Sequence, residues 1–284
     1  MEPQKLIQVL DRISDRTKTE ALEDALKALE SLSSESPSPE KVALMPGLGI
    51  LTDWISFDEE NATDLNKERS QRLLAYLHEL GSTLSDTAWL TTNAFDTSPQ
   101  AAKAVIDELV SLGLGKKKTK ILFPACGTGI FSLVLQAYHP SVYANLDITA
   151  IDLDPIRCDV FTILNPKAEV ICKPFEVATK TYPPEVFDVT IDNVPFGSTR
   201  IDDRPLHCFF LKEMTRLTAP GGAIGYLTST GFLNSAGNAP YRQEQKNLCE
   251  LVKFWDFPQG AHRRQGTETE IHGLLWVKKA YTMS

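Results

Sequence analysis

The sequence lacks any apolar run close to the roughly 20 residues that a helix needs to span a bilayer. Its first residues, MEPQKLIQVLDRISDR, are polar and charged, unlike the apolar centre of a secretory signal. The chain has 284 residues, 42% of them hydrophobic, which is enough to bury a substantial core. We therefore expect a soluble, folded protein of the cytoplasm.

Cysteine is scarce and shows no pairing pattern. The five cysteines are widely spaced, with no CxxC pair and no histidine at the spacing of a zinc site. Most of them lie in apolar segments, so we expect reduced thiols in the core, and neither a disulfide framework nor a metal site. These residues are Cys126, Cys158, Cys172, Cys208 and Cys249.

Basic residues are too few to give the positive charge that is typical of proteins that bind nucleic acids. Lys and Arg number 29 against 37 Asp and Glu, for a net charge of -8. The excess of acidic residues is unevenly distributed. Residues 1–110 carry 20 acidic and 10 basic side chains, whereas residues 111–284 carry 17 acidic and 19 basic ones. The net charges are -10 and +2, so the second part permits a nucleic-acid partner.

The first part of the chain has the pattern of a helical extension, which we assign to residues 1–85. Apolar residues recur at helical spacing in 4–32, and helical spacing resumes near residue 64. Between these segments, the serine- and proline-rich stretch 33–39 predicts a hinge, because such residues do not build a packed element. A second domain is expected over residues 86–284.

The second domain alternates short apolar strands with helices. This pattern predicts an α/β fold with a doubly wound, mostly parallel sheet that is covered on both faces. Two later strands, 251–257 and 271–277, are expected to form an antiparallel edge. The other predicted strands are 120–123, 149–152, 169–172, 187–191 and 223–227, and the predicted helices are 98–112, one after Gly129, 155–164 and 209–217.

The first predicted strand leads into PACGTG, residues 124–129. Two glycines between a strand and a helix let the backbone approach a ligand at the carboxyl end of a parallel sheet. No GKS or GKT follows, which excludes a P-loop, and the third glycine of the dinucleotide fingerprint is missing. A tight turn alone would also explain the glycines.

The second predicted strand ends in IDLDP, residues 151–155. An acidic side chain at this position, 25 residues after Gly127, can accept hydrogen bonds from both hydroxyls of a ribose. Asp152 is the candidate for this role. Asp154 is expected to cap the helix that follows.

The fourth predicted strand runs into DNVPFG, residues 192–197. A turn would explain the proline and the glycine of this motif. It would not require Asn193 or Phe196, so these two residues are candidates for a functional role.

The three motifs, in this order, resemble those of the class I S-adenosylmethionine-dependent methyltransferases, and among them the N6-adenine DNA methyltransferases. PACGTG resembles their motif I, IDLDP their acidic second-strand motif, and NVPF their Asn-Pro-Pro-Tyr/Phe motif. NAFDTSP at 93–99 is similar to the motif that precedes motif I. NVPFG, with KPFE at 173–176 before it and LHCFF at 206–210 after it, resembles a subgroup found in phage and mobile-element proteins. The resemblance covers about residues 90–280 and implies a Rossmann-like sheet of seven strands.

The resemblance also implies catalytic roles in the fourth-strand motif. The side-chain oxygen of Asn193 and the carbonyl of Val194 would accept the amino hydrogens of a flipped adenine, and Phe196 would stack on its ring. Pro195 would stiffen the loop. Val194 replaces the first proline of the commoner motif, but the required acceptor is its carbonyl.

S-adenosylmethionine is the cofactor that the resemblance implies. Many relatives carry an aspartate after the third strand, where this sequence has Pro174, so Phe175 is expected only to pack against the adenine of the cofactor and Glu176 is a candidate substitute. The implied cofactor-binding residues are Phe95, Thr97, Pro124, Cys126, Gly127, Gly129, Asp152, Leu153, Phe175 and Asn193.

Three interpretations of function stay open at this point. The first is methylation of adenine in DNA, the second is the same chemistry on RNA or on a protein glutamine, and the third is a non-catalytic subunit with a methyltransferase fold. The chain ends at Ser284, soon after the last predicted strand, so we expect either loose target recognition or a separate specificity protein that docks on the acidic extension. His207 and His262 are expected in ordinary structural or surface roles, and Arg263 and Arg264 are weak candidates for contacts with phosphate.

Overall fold

A computed structural model describes residues 97, 99–127, 129–195, 199–257 and 270–280. The predicted extension over 1–85 and its hinge at 33–39 lie outside the described residues. Among the helices in the described ranges, none has both the length and the apolar character needed to cross a membrane.

A sheet of seven strands forms the centre of the fold, in the spatial order β3-β2-β1-β4-β5-β7-β6. Strands β1 to β5 pair in parallel, and β7 runs antiparallel to both β5 and β6. This arrangement confirms the predicted doubly wound sheet and its antiparallel edge. The strands are β1 Thr119–Phe123, β2 Leu146–Asp152, β3 Glu169–Cys172, β4 Phe187–Asn193, β5 Thr218–Ser229, β6 Cys249–Asp256 and β7 Ile271–Lys278.

Eight α-helices in the described part of the chain connect or flank these strands. They are α1 Pro99–Ser111, α2 Ile130–Tyr138, α3 Pro140–Tyr143, α4 Pro155–Leu164, α5 Phe175–Ala178, α6 Leu206–Leu217, α7 Thr230–Asn234 and α8 Ala239–Leu248. A small separate hairpin, Arg200–Ile201 with Arg204–Pro205, lies between β4 and α6.

Two apolar clusters pack against the two faces of the sheet. Successive side chains of a strand point to opposite faces, and β1 illustrates this, since Ile121 and Phe123 belong to one cluster and Leu122 to the other. The first cluster includes side chains of α1 and α2, and the second includes side chains of α5, α6 and α7. Burial on both faces is what the near-continuous apolar strands predicted.

Some element boundaries differ from the prediction. Strand β5 starts at Thr218, whereas the sequence predicted a start at 223. The segment 219–222 has the residues of a turn, but the strand includes it. The pairing with β4 shifts there, and Gly221 has a positive φ of 77°. Helix α6 starts three residues earlier than predicted. Cys172 was expected in the core but lies exposed at the end of β3, whereas the other four cysteines are buried, and all five are free thiols.

Candidate functional site

The three motifs meet at one edge of the sheet. Strands β1 and β4 are adjacent and parallel, with Leu122 opposite Thr190, and the strand order reverses between them. Open α/β folds bind ligands in the crevice at the carboxyl ends of the strands at such a switch point. PACGTG follows β1, Asp152 ends β2 and Asn193 ends β4, so the sequence-predicted residues lie at this crevice.

The glycine loop turns sharply between β1 and α2. The N–H of Cys126 donates to the Ile151 carbonyl of β2 at 2.9 Å, and the N–H of Gly129 donates to the Cys126 carbonyl at 3.0 Å. Gly127 and Gly129 have φ values of 53° and 93°, a region that residues with a Cβ seldom adopt. A Cβ on Gly129 would also lie 3.1 Å from the Phe161 ring, so the loop requires glycine there.

Asp152 fixes the loop from the side of β2. Its Oδ2 accepts a hydrogen bond from the N–H of Gly127 at 2.8 Å, and its Oδ1 accepts one from the N–H of Asp154 at 2.9 Å. Asp154 in turn accepts from the N–H of Arg157 at 3.4 Å at the start of α4, as expected of a helix cap. The carboxylate therefore lies beside the glycine loop, and its contact with a ribose stays a prediction.

Asp192 fixes the loop from the side of β4. Its Oδ2 accepts from the N–H of Ala125 at 2.5 Å and its Oδ1 from the N–H of Asn193 at 2.8 Å, although the residue is only 3% exposed. The sequence motif contains this residue, but we did not predict a role for it. An acidic residue at the end of a buried, mostly apolar strand is the signal that could have indicated it, because buried carboxylates need N–H partners.

A buried arginine opposes the charge of the two carboxylates. Burial raises the pKa of the Asp152 carboxyl and raises that of Asp192 well above its usual range, while the Arg157 guanidinium lowers both. Burial and the two carboxylates together raise the pKa of the Cys126 thiol, which therefore stays protonated. Arg157 is 5% exposed and was not predicted, because nothing within helix α4 distinguishes it from a surface arginine.

The side-chain oxygen of Asn193 is a buried acceptor without a donor. Among the described residues, no group donates a hydrogen bond to its Oδ1. Buried polar atoms are nearly always hydrogen-bonded, so this acceptor at the end of β4 is a candidate to receive a hydrogen bond from a bound group.

Val194 continues the pairing of β4 with β5 beyond the last strand residue. Its N–H donates to the Leu227 carbonyl at 3.2 Å, and its side chain is fully buried. A proline at this position could not donate that hydrogen bond. Valine at this position therefore permits a backbone hydrogen bond that proline would not.

The remaining predicted residues fall into different environments. Thr97 is buried, and Pro124 is buried at the start of the glycine loop. Leu153 leaves 59% of its surface exposed, and its contact with a cofactor stays a prediction. Phe175 is 4% exposed and stacks on Phe210, with ring centroids 4.4 Å apart, so its contact with a cofactor stays a prediction.

Five residues with a role expected from the sequence lie outside the described part of the chain. They are Phe95, Phe196, His262, Arg263 and Arg264. Within the described ranges, no group of three or more His, Cys, Asp and Glu side chains is arranged to hold a metal ion.

Comparison with known sequences gives one relative of interest. The chain is 24% identical, over 229 residues, to the defense against restriction protein B of Escherichia phage P1. The match covers 78% of this chain and 10% of the phage protein, so the chain spans about a tenth of that protein's length. No protein-family model matches the chain.

Comparison with solved structures identifies the fold. A protein of Listeria monocytogenes assigned to the class I S-adenosylmethionine-dependent methyltransferases superposes with a TM-score of 0.57 at 16% identity, covering 100% of this chain and 90% of that one. A modification subunit assigned to a type I restriction enzyme of Vibrio vulnificus has a TM-score of 0.56 at 16% identity, covering 75% of this chain and 50% of that one. The fold is therefore the Rossmann-like fold of class I methyltransferases.

Proposed function

We propose that the chain binds S-adenosylmethionine at the carboxyl edge of β1, β2 and β4 and transfers its methyl group to the N6 amino group of adenine in DNA. The observation that carries the proposal is the unpartnered Oδ1 of Asn193 at the end of β4. An exocyclic amino group can donate the hydrogen bond for which this oxygen has no donor.

The residues around the glycine loop fit a nucleoside cofactor. Gly127 and Gly129 leave the backbone free of Cβ atoms, Asp152 supplies carboxylate oxygens for a ribose, and exposed Leu153 supplies an apolar surface for an adenine ring. When bound, S-adenosylmethionine supplies an electrophilic methyl group on a sulfonium.

The chain's own part in the reaction is to position the amine. Asn193 Oδ1 and the Val194 carbonyl accept the amino hydrogens, which localises the nitrogen lone pair toward the methyl carbon. S-adenosylmethionine, when bound, would supply the methyl group for the new nitrogen–carbon bond and keep the electron pair of the broken carbon–sulfur bond, and the amino group would release one proton to solvent. Phe196 stacks on the flipped base in this proposal.

DNA is the proposed substrate because of the relatives' names. The phage relative is named for defense against restriction, and the Vibrio vulnificus neighbour is a modification subunit. The latter belongs to a multi-subunit enzyme, which also supports the proposal that a separate specificity protein is a second partner.

The test is methyl transfer from radiolabelled S-adenosylmethionine to DNA, RNA and protein, with Asn193→Ala as the variant. We expect label in N6-methyladenine of DNA and a loss of at least about 100-fold in the variant, the size of effect that removal of one transition-state hydrogen bond produces. Asn247→Ala is the matched control, because this asparagine lies exposed on α8 and its side-chain oxygen accepts a surface hydrogen bond from Gln243.

The methyl-transfer assay, together with calorimetry of cofactor binding, separates the competing interpretations. Label that appears only in RNA or in protein glutamine would move the same chemistry to another substrate. If the cofactor does not bind in calorimetry although the protein is folded, the chain is a non-catalytic subunit. Equal activity of Asn193→Ala and the wild type would remove the role of Asn193.

A further inference from the structure

His207 lies at the same edge of the sheet as the proposed site. It is the second residue of α6, which starts at the carboxyl end of the strands, and it is 8% exposed. Its carbonyl accepts a hydrogen bond from the Tyr226 hydroxyl at 3.0 Å, and its ring meets Phe232 edge-on, with centroids 6.0 Å apart. These contacts hold the ring in one place.

The contacts of Asn238 determine which ring nitrogen of His207 carries the hydrogen. The Nδ2 of Asn238 donates to the Gly231 carbonyl at 3.0 Å and lies 3.2 Å from the Nε2 of His207. An amide nitrogen can only donate, so Nε2 is the acceptor and the hydrogen is on Nδ1. Burial lowers the pKa of His207, which favours this neutral form.

The Nδ1 of His207 is a buried donor with no acceptor in the part of the chain that the structure describes. Unpaired buried N–H groups destabilise a fold and are rare. The sequence predicted an ordinary structural role for His207, but such a role does not explain the unpaired Nδ1–H. The structural contacts of His207 are made by its carbonyl, its ring edge and Nε2.

His207 is connected to the strands that carry the proposed catalytic motif. Tyr226, which binds its carbonyl, pairs with Asp192 across β4 and β5. Tyr226 and Phe232 also pack in the same apolar cluster as Val194. The orphan donor of His207 and the orphan acceptor of Asn193 thus belong to one packed unit at one edge of the sheet.

We infer that the Nδ1–H of His207 is a specificity-determining donor that binds the ring nitrogen next to the amino group of the target base, N1 or N7 of adenine. The inference rests on the proposed function. Adenine presents an amino donor beside a ring-nitrogen acceptor on two of its edges, which matches an orphan acceptor and an orphan donor. Guanine and thymine present a carbonyl where adenine presents its amino group, so they lack this match, whereas cytosine presents the same pair at N4 and N3 and is not excluded by it.

Two substitutions separate the two ring nitrogens. The side-chain nitrogen of asparagine can occupy the position of Nδ1, whereas that of glutamine can occupy the position of Nε2. We therefore expect His207→Asn to keep kcat/KM for DNA within about threefold of the wild type and His207→Gln to lower it roughly 10- to 100-fold, the cost of losing one buried hydrogen bond. Equal losses in the two variants, with both folded by circular dichroism, would contradict the inference.

Base analogues give a second test, whose first measurement uses only the wild-type protein. DNA with 1-deazaadenine or 7-deazaadenine at the target lacks one candidate acceptor, and 3-deazaadenine is the control because N3 is not adjacent to the amino group. We expect the wild type to lose activity on either the 1-deaza or the 7-deaza substrate, and His207→Gln to lose nothing further on that substrate. If both analogues are methylated like the 3-deaza control, the His207 inference fails while the proposed function stands. If no DNA adenine is methylated at all, the proposed function fails.

Discussion

The Oδ2 of Asp152 and the backbone N–H of Gly127 are joined by a hydrogen bond of 2.8 Å, although 25 residues separate them in the chain. The residue proposed to bind the ribose is therefore also a structural support of the loop that approaches the rest of the cofactor. Loss of the carboxylate removes the support and the ribose contact together.

We predict that Asp152→Ala lowers the affinity for S-adenosylmethionine roughly 10- to 100-fold, because hydrogen bonds to a charged group contribute about 1.5–3 kcal/mol. Titration calorimetry measures this directly. Asp147→Ala is the matched control, since Asp147 lies exposed near the other end of the same strand. Equal affinity of the two variants would show that Asp152 does not contact the cofactor.

The glycine loop permits a prediction about stability. Gly129 has a φ of 93°, and a Cβ at this position would lie 3.1 Å from the Phe161 ring, whereas Gly221 has a φ of 77° and a Cβ there would meet no atom within 4 Å. Gly221→Ala therefore reports the cost of the backbone conformation alone, about 1–2 kcal/mol. In urea titrations we expect Gly129→Ala to lower the free energy of unfolding by more than Gly221→Ala does. A smaller loss for Gly129→Ala would mean that the Phe161 ring moves aside without a large loss of free energy.

Leu153 and Phe175 are predicted to differ in what they contribute. Because Leu153 is 59% exposed, Leu153→Ala is expected to change the free energy of unfolding by less than about 0.5 kcal/mol but to lower cofactor affinity about tenfold. Phe175 stacks on Phe210 in the core, so Phe175→Leu is expected to cost about 1–2 kcal/mol of stability. If Phe175→Leu lowers cofactor affinity by more free energy than it lowers stability, Phe175 belongs to the cofactor site instead.

Much of the fold could be predicted from local patterns. Helix α4 and strand β3 match the predicted ranges 155–164 and 169–172, because their apolar residues lie between clear turn or cap signals. Helix α8 was missed, since APYRQEQKNL has few apolar residues and only Gln245 of its side chains is buried. The start of β5 was missed because a bulge within a strand has the same residues as a turn.

The site could be predicted only where one motif contained the signal. Asp152 and Asn193 could be named as candidates from the sequence because each stands at the end of a mostly apolar strand and the motifs follow in a recognisable order. The roles of Asp192 and Arg157 depend on contacts between residues far apart in the sequence, such as the bond from the Ala125 N–H to Asp192 across 67 positions. The orphan nitrogen of His207 likewise becomes visible only when all of its neighbours are placed.

Asp192 permits a prediction about pH. Burial raises the pKa of this carboxyl well above that of an unfolded chain, so between the two pKa values the folded protein holds a proton that the unfolded chain has released. Stability is therefore expected to fall as pH rises from about 4 toward the raised pKa. Asp192→Asn cannot titrate, and its side chain offers one acceptor oxygen where Ala125 and Asn193 present two N–H donors.

Two consequences follow for Asp192→Asn. The variant should be less stable than the wild type at low pH, because one N–H loses its acceptor, by about 1–3 kcal/mol. This difference should shrink as pH rises, because only the wild type loses the stability linked to this proton, while Asp152 titrates in both proteins. Urea unfolding of both proteins over a pH series measures the difference, and a gap that stays constant or widens with pH would show that Asp192 is ionised in the fold.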